Sequence, residues 1–403
     1  MNSGDIPKIL AYGEICDPCL GRFFGKRSFG LTNRERGRSL RIADAIARNI
    51  PFQEHSGSCW VCGDLLDEVG AWADRVSSAV SGIEFRTFLI GTRVPPLVAE
   101  NEEMVWSDLS LSDPEPIKSE VNREVGKAVS AHLGKEVDLK QPDLVAILDI
   151  RNGSVEVQIS PVFFRGRYCK FERGIPQTHW DCRACQGRGC ERCNFTGKQY
   201  MDSVEELIGR PVTAIFSAET AVLHGSGRED IDARMVGTGR PFIMEVVSPR
   251  VRTTDLADLE ERINQSAAGR VSVSLGGWCG RDAVEIIKSN KAHKKYRILV
   301  EIEGTVSPDE LRTALATLKG VRISQRTPER VSHRRADLVR PRHVLDIEYI
   351  GEEGGRFTIE VTGEAGLYIK ELVSGDSGRT RPSLAEVLGK EACVVTLDVV
   401  QVE

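Results

Sequence analysis

The sequence predicts an α+β protein of two domains, each built round its own sheet. The chain has 403 residues, more than one core usually covers, because domains cluster near roughly 100–200 residues. Apolar residues fall at helical spacing in the first segment, whereas short β-rich runs recur through the second half. Those runs follow one another directly or through single helices, so a mixed, mostly antiparallel sheet flanked by helices is expected rather than a doubly wound one. With 40% hydrophobic and 28% charged residues, the composition is that of an ordinary folded protein.

The N-terminus, MNSGDIPKILAYGEICDPC, has no basic stretch leading into an apolar core, and nowhere do about 18 uncharged apolar residues run together. A cytoplasmic chain, neither secreted nor membrane-spanning, is expected. Up to about Ser81 the reading is a small helical module. RERGRSLRIADAIARNI spaces Leu40, Ile42, Ala43, Ala45 and Ile46 at helical intervals, and GDLLDEVGAWADRVSSAV repeats the pattern. FRTFLIGTRVPP (Phe85 to Pro96) predicts a strand then a turn, and IKSEVNREVGKAVSAHL an amphipathic helix. DLVAILDI and SVEVQISPVFF predict a strand pair closed by Asn152-Gly153, since both residues accept the positive φ of a tight hairpin. The first domain is expected to span 1–167 and the second 168–403. In the second, RPFIMEVVS, RVSVSLGG, YRILVEIEG, HVLDIEYIG, RFTIEVTG and CVVTLDVVQV predict strands, with DLADLEERINQS and PDELRTALATL as helices. A loop-rich insertion, DCRACQGRGCERCNFTGK, occupies 181–198.

Eleven cysteines in a chain without an export signal are read first as metal ligands, not as a disulfide framework. CDPC (Cys16, Cys19) and CWVC (Cys59, Cys62) form two matched knuckles, and a closed four-thiolate zinc shell needs this arrangement. Such a site is structural, with no open position for chemistry. Cys182, Cys185, Cys190 and Cys193 are paired likewise but more tightly. A second zinc is the first reading, a redox dithiol or merely clustered thiols the others. Cys169, Cys279 and Cys393 stand alone and are expected to be small buried residues.

A net charge of −5 argues against indiscriminate nucleic-acid binding, yet the charge is unevenly placed. RISQRTPERVSHRRADLVRPRH (Arg322 to His343) carries seven arginines against two acids, and KSNKAHKKYR (Lys288 to Arg297) carries no acid. Both could track an RNA backbone. HGSGREDIDARMVGTGRPF (His224 to Phe242) reads as a flexible loop crowding Arg228, Glu229, Asp230, Asp232 and Arg234 among glycines. Taken alone, its acids are turn or surface ion-pair residues. KKYRILVEIEG, however, puts Tyr296 at the start of a predicted central strand, and GEAGLYIKELVSGDSGRTRPSLAEVLG puts Tyr368 and Lys370 in a Gly-flanked strand. An acid, two tyrosines at strand ends and basic stretches, with no catalytic triad, P-loop or catalytic-metal motif, suggest an enzyme that stacks a base and attacks it with a carboxylate.

GSGREDIDARMVGTGRPF, HKKY, QRTPERVSHRR and GLYIKELVSGDSGRTRPSLAEVLG resemble, in order and spacing, successive motifs of pseudouridine synthases. The match is to the archaeal and eukaryotic family that modifies the TΨC loop of tRNA, whose archaeal members act at tRNA positions 54 and 55. It runs from the first cysteine pair to the C-terminus. The N-terminal part, ending in SPVFFRGRYCKFERGIPQ, is similar to the THUMP-type RNA-binding domain of that family. The resemblance implies Asp230 as nucleophile, within Gly227-Arg228-Glu229-Asp230. Asp232 fits no catalytic position and is expected to cap or pair locally, and Glu229 is read as an ordinary loop residue. The family's Lys-x-Tyr motif falls on Lys294 and Tyr296, and its Gly-x-Tyr-Ile-Lys motif on Gly366, Tyr368, Ile369 and Lys370.

The implied reaction breaks the N1–C1′ bond, turns uracil in place and rejoins it through C5, so no cofactor is needed beyond structural zinc. The carboxylate adds either to uracil C6 or to ribosyl C1′; both routes stay open. Tyr296 would stack on the base and place its hydroxyl near the departing proton. Arg228 would pair with Asp230 or touch phosphate, and Tyr368, Ile369 and Lys370 would line the pocket floor. The expected partner is tRNA, with no membrane, and the expected state a monomer. A THUMP-fused methyltransferase or thiolation enzyme would want a nucleotide-binding loop between strand and helix, and GTGRP (Gly237 to Pro241) is broken by its proline. A non-catalytic zinc-bearing tRNA adaptor would share every binding feature but make Asp230 dispensable.

Overall fold

The computed structural model describes residues 5–112 and 114–403, and the chain divides into two units between Ser160 and Pro161. The first four residues, part of the stretch searched for a leader, lie outside the described residues. No helix among those described is long and apolar enough to cross a membrane.

The first unit opens with helices α1 (Asp5–Leu10), α2 (Asp17–Arg22), α3 (Asn33–Arg48) and α4 (Val69–Ala79). Strand β1 (Thr87–Arg93), α5 (Pro96–Asp108), α6 (Ile117–Leu133), β2 (Glu136–Val137), β3 (Leu144–Asp149) and β4 (Ser154–Ile159) follow. The sheet order is β2-β1-β3-β4, and the β3–β4 hairpin falls where Asn152-Gly153 predicts it but through four residues, 150–153, between the paired Asp149 and Ser154. Gly153 takes a φ of 65° and Asn152 does not, so the turn is wider than the two-residue one expected. Val121, Val125 and Val129, four residues apart on α6, bury one stripe among Phe88, Ile90, Leu144, Ala146 and Leu148 of the strands. On α3, Leu40 and Ala45 turn inward, but Ile42 and Ile46 of the predicted stripe face solvent. The inner face of α3 is instead set by glycine. A Cβ on Gly37 would stand 1.8 Å from the Asp17 carbonyl of α2, and one on Gly21 equally close to that of Asn33. Sequence periodicity gives no sign of α5.

The second unit contains β5 (Val162–Lys170), α7 (Val204–Phe216), β6 (Thr220–Gly225), β7 (Arg234–Val247), α8 (Leu256–Ala267), β8 (Val271–Cys279), α9 (Asp282–Ser289) and β9 (Lys294–Ile302). After these come α10 (Pro308–Leu318), β10 (Arg322–Arg326), β11 (Val339–Glu353), β12 (Arg356–Gly363), α11 (Ile369–Ser374), β13 (Thr380–Arg381), α12 (Leu384–Leu388) and β14 (Ala392–Val402). Nine strands run β13-β10-β11-β12-β9-β14-β7-β5-β8, with β6 beside β7. All neighbours are antiparallel except β14 and β7, which meet in parallel only at Asp398–Arg234 and Val399–Met235. The mixed, mostly antiparallel sheet flanked by helices is therefore observed.

Four further expectations are corrected. The strand Val162–Lys170 belongs to the second sheet, between β7 and β8, so the boundary lies at Ser160/Pro161 and not at 167. Pro161 has no N–H with which to extend the β4 ladder, which ends there. Tyr368 and Lys370 stand at the start of helix α11, entered through Gly366 at a φ of 85°, and not in a strand. The stretch from His224 to Phe242 is only half a loop, because from Arg234 onward it is β7. Cys169 and Cys279 are half-buried and Cys393 is exposed, so none of the three is the fully buried residue expected.

Candidate active site

Asp230 lies on the loop 226–233, which enters β7 just where that strand meets β14. Buried side chains hold this loop from below. Arg240 Nη1 donates to the Ser226 carbonyl at 2.7 Å, and Gln177 Nε2 to that of Gly227 at 3.0 Å. Lys170, fully buried on β5, donates to the carbonyls of Asp230 at 3.3 Å and Ile231 at 3.2 Å. Burial depresses its ammonium below the usual lysine range, with Glu229 opposing the shift.

Glu229 is no ordinary loop residue. Its carboxylate is wholly buried, 2.7 Å from Arg240 Nε, and accepts from the Tyr168 hydroxyl at 2.9 Å. That hydroxyl in turn accepts from Gln177. Adjacent acids on one turn thus point opposite ways, Glu229 into the protein and Asp230 out of it.

The Asp230 carboxylate, about one-third exposed, meets Arg330 Nη1 at 3.0 Å and Lys370 Nζ at 3.7 Å. Arg330 also binds Glu371 at 2.7 Å, so its guanidinium is fixed from two sides. Burial works against the Arg330 charge, but Glu371 and Asp230 hold it. Lys370 pairs more tightly with Asp232, at 2.6 Å, so Asp232 pairs across the fold and not locally. The lysine keeps the Asp232 carboxyl below the usual range despite burial.

A cavity of about 320 Å³ opens beside Asp230, in the range of small-ligand sites. Tyr296, Leu397, Val399 and Ile369 supply its apolar surfaces. Six cations, Arg228, Arg240, Lys294, Arg330, Arg335 and Lys370, line it against two acids, Glu229 and Asp230, a balance that suits a polyanion. Tyr296 on β9 is 9% exposed; burial pushes its hydroxyl up to about 12, with Arg240 opposing and Asp230 adding. Burial and Arg240 push the Lys294 ammonium down to about 8, against Glu229. Tyr368 is clamped by Gln325, whose amide accepts from the Tyr368 N–H and donates to its carbonyl, both at 2.9 Å. Arg335 reaches the Tyr368 hydroxyl at 2.8 Å.

The structure therefore brings Asp230, Arg228, Tyr296, Tyr368, Ile369 and Lys370 to one cavity. Arg330, at 3.0 Å, and Lys370, at 3.7 Å, are cations set on Asp230, and Arg228 has its guanidinium 5.5 Å from the Trp180 ring. Arg330 is visible in sequence only as one of seven arginines, and Lys170, Arg240, Gln177 and Gln325 carry no sequence signal, because a buried polar residue reads like a surface one. The run KSNKAHKKYR is less free than expected, since Lys295 and Arg297 both bind Glu360 across β9 and β12. GTGRP lies inside β7, away from the strand-to-helix turn that a nucleotide-binding loop requires.

Both cysteine quartets could hold a metal ion: in each, the four sulfurs lie within 4.8 Å of one another. A tetrahedral shell with Zn–S near 2.3 Å sets the sulfurs about 3.8 Å apart. Cys16 and Cys62 stand 3.7 Å apart, Cys182 and Cys190 4.0 Å, Cys185 and Cys193 3.9 Å, and Cys190 and Cys193 3.7 Å. A disulfide would need about 2.05 Å.

Residues 163–403 match the family model described as Pus10, C-terminal, and residues 72–149 that of the archaeal Pus10 THUMP domain. A protein of Methanothrix thermoacetophila named tRNA pseudouridine synthase Pus10 is 45% identical, aligned over 98% of this chain and 93% of its own. Proteins of the same name from Halorubrum lacusprofundi (43%, covering 97% and 94%) and Pyrococcus furiosus (37%, covering 98% and 96%) align as fully. The solved structure of a Cbf5-Nop10-Gar1 complex aligns over 49% of this chain and 45% of that one, at 19% identity and a TM-score of 0.32, too weak a likeness to carry weight. With the Pus10 C-terminal model matched over residues 163–403 and relatives aligned nearly end to end, the chain belongs to the Pus10 family.

Proposed function

We propose that this chain is a tRNA pseudouridine synthase that isomerises uridine in the TΨC loop, at positions 55 and 54, with Asp230 as its nucleophile. The observation that carries the assignment of Asp230 is its place. It is an outward-facing carboxylate at the mouth of a cation-lined cavity, aimed by Arg330 and held by a loop whose carbonyls are tied down from inside. The target nucleotide must leave its stack, at a cost of a few kcal/mol. Stacking on Tyr296, worth about 1–3 kcal/mol, offsets that cost. A hydroxyl pushed to about 12 stays neutral, so Tyr296 serves as a stacking face and hydrogen-bond donor rather than as a free base.

Asp230 adds to uracil C6 or captures ribosyl C1′, the N1–C1′ bond breaks, the base turns and C5 bonds to C1′; the bond to Asp230 is then released, and the proton lost from C5 to solvent is matched by one taken up at N1. Atoms and electrons balance without an outside reactant. Tyr368, Ile369 and Lys370 bound the space in which the base turns, while Arg228, Arg335 and Lys294 meet the phosphates. Both quartets are read as zinc sites, the metal serving only to hold its loops in place.

Mapping pseudouridines on unmodified tRNA transcript treated with wild type and with Asp230→Asn tests the reading. Wild type should modify the TΨC loop and the variant should not, while both bind the tRNA. Turnover by the variant would remove Asp230 from the mechanism. Failure of the wild type under the same conditions would favour the non-catalytic adaptor.

A further inference from the structure

The insertion 181–198 takes no part in the pocket floor, yet its two ends are clamped at the pocket's edge. Cys182 N donates to the Gly197 carbonyl at 2.7 Å and Gln199 N to that of Trp180 at 2.9 Å. Trp180 packs edge-on against Tyr200 at 5.8 Å and lines a smaller cavity, about 180 Å³, with Arg228, Asp230 and Arg330. Within the loop, the amides of Gly189, Cys190 and Gly197 donate to cysteine sulfurs at 3.2 to 3.3 Å, as thiolate ligands require. The backbone passes so close to itself that a Cβ on Gly197 would stand 2.3 Å from the Gly187 carbonyl. Closure on a metal makes this a rigid knuckle.

What the knuckle turns outward is unlike a mere clip. Phe195 is 74% exposed, at a φ of 60° that a bulky residue rarely adopts. Its N–H is bound to the Cys190 carbonyl at 2.8 Å, so the closed turn holds the ring in solvent. Arg183, Arg188 and Arg192 are exposed around the same loop, and between the first and last cysteine only Glu191 opposes them. An exposed ring among cations is the surface that single-stranded RNA recognises, through base stacking and phosphate contacts.

We propose that this knuckle is a second RNA-contact element beside the pocket: Phe195 stacks on an unpaired base near the one modified, and Arg183, Arg188 and Arg192 meet the flanking phosphates. The inference rests on the reading that the chain acts on tRNA.

The probe is a 5′-fluorescein-labelled unmodified tRNA transcript, titrated by anisotropy across a salt series, with metal content measured for each protein. Phe195→Ala should weaken binding about 5- to 150-fold, the range expected for one stacked base, and Phe195→Trp should restore it, both with wild-type metal content. Replacing the three arginines by alanine should lower the slope of log Kd against log salt by about 2. Wild-type affinity and salt slope in both sets of variants would overturn the proposal, while wild-type tRNA modification in the same preparation would leave the enzymatic reading intact. A wild type that neither binds nor modifies the transcript would overturn both.

Discussion

Glu229 and Asp230 are neighbours in sequence with opposite burdens, and substituting each should separate stability from chemistry. Glu229→Gln keeps the shape but removes the charge facing Arg240, where the two side chains are 0% and 1% exposed. Breaking a buried pair on one side costs about 3–5 kcal/mol, because the surviving charge is left without its counter-ion. For a unit of this size 1 kcal/mol corresponds to about 2–4 °C in Tm. Glu229→Gln should therefore lower the unfolding temperature by about 6–20 °C and loosen the loop that carries Asp230. Asp230→Asn removes an ion pair in which both partners are about one-third exposed, so solvent screening limits its effect on stability to about 1 kcal/mol. Turnover should nevertheless be abolished. Thermal unfolding followed by circular dichroism, alongside tritium release from 5-tritiated uridine in tRNA, reads both quantities. Equal unfolding temperatures for wild type and Glu229→Gln, or early unfolding of Asp230→Asn, would refute the division of labour.

In the first unit, Gly37→Ala forces a Cβ against the Asp17 carbonyl; α2 and α3 must part, at about 1–3 kcal/mol, and zinc loaded onto the proposed site at Cys16, Cys19, Cys59 and Cys62 should dissociate faster in a chelator assay. The Lys294 ammonium falls from its usual 10.5 to about 8. Between those values the unfolded chain holds a proton that the folded chain has shed, so stability should rise with pH across that window, by about 3 kcal/mol in all. Urea unfolding of Lys294→Met should lack this rise and show greater stability at neutral pH; identical pH slopes would count against the depressed value. Elemental analysis should find two metal equivalents per chain and one in Cys59→Ser, with thermal unfolding of the first unit lowered in the latter.

Sequence reading succeeded where the chain's own periodicity decides the outcome. The alternation in β9, β12 and β14, the Asn152-Gly153 turn and the paired cysteines were each readable locally. It failed where distant partners decide. The strand Val162–Lys170 follows a hairpin in sequence and looks like its continuation, but its partners are β7 and β8. Helix α7 hides behind Pro211 in its interior, although Ser203 caps it through Glu206. At the site, Asp230, Tyr296, Tyr368 and Lys370 lay within motifs with recognisable spacing. Arg330, Gln325, Lys170 and Glu229 owe their roles to burial or to contacts far along the chain. No residue type announces those in advance.

The strand Val162–Lys170 has one more consequence, for how the protein is made. It leaves the ribosome before the strands on either side of it, since β7 begins at Arg234 and β8 at Val271. Until those emerge, Phe163, Phe164 and Tyr168, all buried in the finished sheet, have no ladder to join. A nascent chain paused in this interval carries an unpaired, aromatic-rich strand, the kind of segment that associates with other chains before it finds its own partners. Slow translation through 171–270 should therefore favour aggregation, and rapid passage through it correct assembly.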